Sequence, residues 1–155
     1  MKRIVESDSN DVPVIVREAV IELMRAADVA RREMTRVLER FDVTLQQANV
    51  LIILRRADNK GVPTLEVARR LIEQAPGITR FLSALEAKGY VRREQQADDR
   101  RHQLCFLTAK GLRIVDRVMP AIRSSHARTM RRVGQQDLAQ LVRTLKAVSF
   151  DEDET

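Results

Sequence analysis

Apolar residues recur every three or four positions along both ends of this 155-residue chain, and between them one short stretch, residues 90–107, abandons that period. At the front, residues 13–41 carry Val16, Val20, Leu23, Ala27, Ala30, Met34, Val37 and Leu38 as one stripe, with no glycine and no internal proline. At the back, residues 109–133 carry Leu112, Val115, Val118, Met119, Ile122, His126 and Met130, with Pro120 as the expected kink. Residues 135–148 add Leu138, Leu141, Val142, Leu145 and Val148. Two such ends offer more apolar surface than a small centre covers. The packing problem is solved by a homodimer, or by the end helices folding back on the centre. The first solution makes residues 12–41 and 112–148 a helical dimerisation region.

The centre reads as a run of short elements. Ala48, Leu51, Ile52 and Leu54 predict a helix over residues 45–56, ending at the turn Asp58-Asn59-Lys60-Gly61. Thr64 is the expected N-cap of a short helix over 65–71, placed to meet a phosphate, with Glu66 in the first turn. A further helix is expected from about 75 to 88, closed by Gly89 in a left-handed conformation. Two β-prone runs, 90–94 and 103–107, follow. Helix, turn, helix and hairpin in that order is winged helix-turn-helix spacing, here over residues 45–111. The fold class is therefore mainly α with a small β-hairpin wing, the winged core being flanked by N- and C-terminal dimerisation helices.

At 100° per residue, Ile78, Leu82 and Leu85 define the buried side of the second core helix, with Phe81 at its edge. Pro76, Arg80, Ser83 and Ala87 lie opposite, flanked by Thr79. Small residues permit close approach to a major groove, and an arginine reaches guanine O6 and N7 with two parallel hydrogen bonds. The same residues also make an ordinary solvated face, and this helix alone does not separate the two readings. Net charge favours the first: it is +6, and becomes +10 without the four acids of the acidic tail, residues 149–155. A basic chain of this kind suits a polyanion, double-stranded DNA before an anionic membrane.

The segment "TLEVARRLIEQAPGITRFLSALEAKGYVRREQQADDRRHQLCFLTAKG", residues 64–111, resembles the multiple-antibiotic-resistance regulator (MarR) family of winged-helix transcription factors. The resemblance rests on Leu65, Ala68 and Leu71, on Ile78-Thr79-Arg80 and Leu85-Glu86, and on Gly89, Val91 and Arg93. It continues through Asp99-Arg100-Arg101, Leu107-Thr108 and Gly111. It implies a homodimer on a pseudo-palindromic operator, with half-sites about one helical turn apart (~34 Å). It further implies a repressor whose DNA affinity falls when a small aromatic or phenolic ligand binds. In the hairpin tip, Arg100 and Arg101 reach phosphates or a narrow minor groove. Asp99 takes the orienting role of the family's Asp-x-Arg pattern by holding Arg101. The sequence departs from the family at "QAPG", residues 74–77. Gln74 is a poor cap and Gly77 costs about 1 kcal/mol of helix propensity, so an irregular first turn is expected.

Other chemistries find little support. Cys105, among Leu104, Phe106 and Leu107, reads as a buried inert thiol. His102 and Cys105 are three apart on a strand and face opposite ways, a poor chelate, so no metal or cofactor is expected. No nucleophile and base stand at readable spacing, so no enzyme is expected. Arg17, Arg25, Arg113 and His126 are conceivable anchors for a ligand carboxylate. The lone cysteine, the lack of a signal-like apolar run behind Met1 and the lack of a membrane-length segment point to a soluble, cytoplasmic protein. Two alternatives stay open: a winged module that docks a protein rather than DNA, and a regulator without a small-molecule effector.

Overall fold

The computed structural model describes residues 13–58, 60–72, 77–95 and 103–149. Pro13, with φ near −49°, starts the first helix, α1 (Val14–Leu38), where its missing N–H would have found no partner in any case. A 3-10 turn (Glu39–Phe41) and Asp42, left-handed at φ +53°, reverse the chain. Thr44 then caps α2 (Leu45–Arg56). Its Oγ1 accepts from Gln47 N at 3.2 Å, and Gln47 Oε1 accepts from Thr44 N at 3.2 Å. This reciprocal cap places the helix over the residues expected for it.

A two-residue strand β1 (Val62–Pro63) leads into α3 (Thr64–Arg69), followed by α4 (Ile78–Ala87), β2 (Val91–Gln95) and β3 (Gln103–Leu107). The described strands form an antiparallel sheet in the order β1-β3-β2, with Val62 and Arg93 both opposite Cys105. β1 escapes sequence reading because two residues carry no period. Its Pro63 is tolerated because β1 is an edge strand. Pairing with β3 is what makes it a strand. α4 begins three residues later than expected because Gly77 is left-handed at φ +113° and so cannot lie within the helix's first turn.

Thr108 caps α5 (Ala109–Met130), its Oγ1 accepting from Gly111 N at 3.0 Å. The helix runs unbroken through Pro120, which lies on an exposed side where water can serve the freed carbonyl of Asp116. α6 (Gln135–Ser149) follows Gly134. The buried face of α5 is Ile114, Val115, Val118, Ile122 and Ser125. His126, expected on that stripe, is exposed one position beyond it.

The core lies in the centre of the chain. Leu38, Val50, Leu51, Val67, Leu82, Leu85, Val91, Cys105 and Val118 are almost wholly inaccessible. Each buried leucine contributes about 1.5–3 kcal/mol relative to exposure. Only the last two turns of α1 join this core, through Met34, Val37 and Leu38. α6 barely touches the other elements. The end helices therefore do not fold back fully on the centre.

Candidate nucleic-acid interface

α4 is oriented by its apolar side. Leu82 and Leu85 are wholly buried, Ile78 and Phe81 are half-buried, and Thr79, Arg80, Ser83 and Ala87 are left facing solvent. Arg80 forms no ion pair or side-chain hydrogen bond with any described residue, so its guanidinium fork is available. The far end of α4 is anchored by a Schellman turn. Tyr90 N donates to Leu85 O at 2.9 Å and Gly89 N to Glu86 O at 2.8 Å, with Gly89 at φ +71°. Lys88 donates to the Asp42 carbonyl and pairs with its carboxylate at 2.9 Å.

That turn is in turn held by the start of α5. Thr108 Oγ1 donates to Gly89 O at 2.7 Å and Lys110 Nζ donates to Lys88 O at 2.8 Å. At Gly111 the helix passes so close to the sheet that an added Cβ would lie 2.0 Å from the Tyr90 carbonyl oxygen. Only glycine permits this approach. The elements on either side of the hairpin are therefore locked to one frame.

The sheet separates two neighbouring arginines of β2 onto opposite faces. Arg92 points outward, stacks over the Phe106 ring at 4.2 Å and pairs with Glu94. Arg93 points inward and bonds Glu86 and Ser83 of α4. Under the Phe106 ring, Gly61 (φ +69°) leaves no room for a Cβ. Neither arginine had been singled out as a contact in the sequence, although strand alternation across Arg92 and Arg93 was a readable signal.

Thr64 does not act as an N-cap. It is the first residue of α3, Pro63 holds the cap position, and no side-chain cap bond forms. The Thr64 hydroxyl turns to the sheet instead, donating to Gln103 O at 3.3 Å and lying 3.6 Å from Cys105 Sγ. A partner across the sheet has displaced the local one. Cys105 is buried, and burial pushes its thiol pKa up, away from a reactive thiolate. Pro76, Asp99, Arg100 and Arg101 lie outside the described residues.

The four proposed ligand anchors are not brought together. Arg17, Arg113 and His126 are exposed, and Arg25 is bonded to Glu22 at 2.6 Å. None of them lines the three clefts that matter here. A cleft of about 430 Å³ lies between the end of α1 and the start of α2, reaching Arg31, Asp42, Val43 and Lys88. Another, of about 480 Å³, is lined by Val29, Glu33, Arg36, Arg128, Arg131 and Arg132. A third, of about 280 Å³, lies between α2 and α5, walled by Ile52, Val115 and Met119 beside Arg55, Arg56 and Arg123. Beside the second cleft, Arg36 and Arg128 each bond the Glu33 carboxylate, at 2.9 Å, and hold its pKa down to about 2. Among the described residues no three metal-ligating side chains cluster, and no helix is long and apolar enough to cross a membrane.

A helix-turn-helix whose second helix shows a small polar face with an arginine unpaired among the described residues, preceded by one short strand and followed by two antiparallel strands that complete its sheet, defines a winged helix-turn-helix protein. Residues 43–103 match the model of the MarR family. The winged core of this chain is thus similar to that family. A MarR transcription factor from Planctomyces limnophilus is 28% identical, with 88% of this chain and 98% of that one covered and a TM-score of 0.69. The fold is also that of a mutant MarR from E. coli complexed with operator DNA, at 23% identity, TM-score 0.78, and coverage of 90% and 99% of the two chains. An uncharacterized HTH-type transcriptional regulator of Bacillus cereus is 29% identical over 100 residues, 64% of this chain, and the match spans 65% of that relative's length.

Proposed function

We propose that this chain is a sequence-specific, DNA-binding transcriptional regulator acting as a homodimer. The observation that carries the reading is the solvent-facing side of α4, where Thr79 and Ser83 flank the Arg80 guanidinium, which has no side-chain partner among the described residues. The E. coli neighbour, held on operator DNA with the same fold, supports it by analogy. Self-association is supported by the front of α1, where Ile15, Val20 and Met24 are exposed by 70, 51 and 67%. Under this reading Pro76, Thr79, Arg80 and Ser83 serve the major groove, while Arg100 and Arg101, oriented by Asp99, serve the backbone or minor groove. The setting is the cytoplasm.

Repression relieved by a small aromatic or phenolic acid completes the proposal. The cleft between α2 and α5 supports it: three arginines beside Ile52, Val115 and Met119 suit a carboxylate on an apolar ring. A bound ligand there acts on the joint between the winged core and the end helices, which sets the separation of two recognition helices in a dimer. A gel shift with the DNA upstream of the chain's own gene, run against competitor DNA and then with a panel of aromatic acids, tests both parts. Selective retardation by the upstream duplex is expected. Equal retardation by every duplex, or none, overturns DNA recognition, and insensitivity to all the acids overturns the effector.

A further inference from the structure

We infer that Arg93 is a positioning residue that clamps the wing strand to the recognition helix and biases the Ser83 hydroxyl toward donating outward. This rests on the DNA-binding reading above and deepens it. Arg93 lies on the inner face of β2 with its side chain only 19% exposed. Its Nε and Nη2 both donate to Glu86 Oε2, at 3.0 and 2.5 Å, and Nη2 also approaches Ser83 Oγ at 3.3 Å. Ser83 and Glu86 are one turn apart on α4, so a single guanidinium spans the row that leads to the exposed face. The Glu86 carboxyl pKa is lowered, chiefly by the Arg93 hydrogen bonds, so the pair stays ionised across the neutral range.

Two consequences follow from this geometry. First, the charge of Arg93 is already engaged by a carboxylate, so Arg93 is not a phosphate ligand although it sits in a basic wing. Arg92, one position away, faces outward on the other side of the sheet. Second, a serine hydroxyl both donates and accepts, and Nη2 donates to the Ser83 oxygen. The Ser83 O–H is thereby left to donate outward. It suits acceptors such as phosphate oxygens, purine N7 or guanine O6, while only one of the two oxygen lone pairs stays open to the amino groups of cytosine or adenine. The clamp also fixes the angle between α4 and β2.

The test compares Arg93→Met, Glu86→Gln and the double variant in the full-length chain, measuring binding to the selected operator and to a scrambled duplex by fluorescence anisotropy across a salt series. Thermal midpoints are followed alongside. The positioning role predicts that each single variant lowers the operator-to-scrambled ratio about tenfold and that the double variant is hardly worse than either. It also predicts that the salt slope and the affinity for scrambled DNA stay as in the wild type. A salt slope reduced by about one unit in Arg93→Met makes Arg93 a phosphate contact and overturns the proposal. Additive losses, or equal losses on both duplexes that follow a fall in thermal midpoint, also overturn it. Absence of operator preference in the wild-type chain removes the DNA-binding reading itself, whereas wild-type preference with uncoupled variants removes only the clamp.

Discussion

Leu82 and Leu85, on the ten-residue helix α4, are fully buried, while Ile15, Val20 and Met24, on the 25-residue helix α1, face solvent by half or more of their surface. Both helices are amphipathic, and the difference lies in what surrounds them. α4 is held between α2, α3 and β2 and closed at its end by Gly89, Thr108 and Lys110. The front of α1 and all of α6 have no comparable neighbours among the described residues. Amphipathicity therefore states that a face needs cover without stating which molecule supplies it. The winged core is covered within one copy, whereas the front of α1 leaves Ile15, Val20 and Met24 uncovered.

The largest expected effect tests the self-sufficient side of that contrast. Gly111→Ala drives a methyl group against the Tyr90 carbonyl, and the misfit is predicted to cost about 3 kcal/mol, a fall of about 10 °C in Tm by circular dichroism. An unchanged melting curve would show that the core accommodates what the backbone geometry says it cannot. On the other side of the contrast, Val20→Glu places a charge in the exposed stripe of α1. It is predicted to weaken self-association by about 2 kcal/mol, measured by sedimentation equilibrium, while the helical signal of the core is retained. A chain that is monomeric before the substitution would break the comparison outright.

Arg80→Ala touches neither packing nor self-association. It is expected to cost about 2 kcal/mol of operator affinity and to relax base preference at one position of each half-site, as read by anisotropy on single-base operator variants. Uniform loss across all the variants would mean that Arg80 holds the backbone instead.

The smallest effect sits where core and ends meet. Glu33, between Arg36 and Arg128, ties α1 to α5 with its pKa lowered to about 2. Because the folded pKa lies below the unfolded one, about 4.3, the contribution is complete above pH 4.3 and disappears as pH falls toward 2. The stability gap between wild type and Glu33→Gln, followed by denaturant titration, is expected to close over that interval. A gap independent of pH would show that the carboxylate charge does not carry the link.

Much of this arrangement was readable in advance, and the exceptions share a cause. The bounds of α2 and β3, the left-handed Gly89, the buried side of α4 and the burial of Cys105 all followed from local pattern, and the structure has them as expected. The capping box at Thr44 and Gln47 was also legible as a threonine three residues before a glutamine, though it was not drawn on. Thr64, β1, Gly111 and the Arg93 clamp were not legible. Each depends on a partner distant in sequence: Gln103 for Thr64, β3 for β1, Tyr90 for Gly111, and Glu86 with Ser83 for Arg93.

Periodicity alone settled that this chain would be helical at both ends, that its centre would break into short elements with a hairpin, and that α4 would hide its leucines and show Thr79, Arg80 and Ser83. These outcomes depend on the turn angle of a helix and the alternation of a strand, which are properties of neighbouring residues. Only the tertiary structure decided that the hydroxyl of Thr64 turns to the sheet, that α5 requires glycine at 111, that the three described clefts are lined by residues other than Arg17, Arg25, Arg113 and His126, and that Arg93 joins wing to helix. The physical reason is that hydrogen-bond partners and steric contacts between distant segments are set by the docking of whole elements, and no period along the chain encodes that docking.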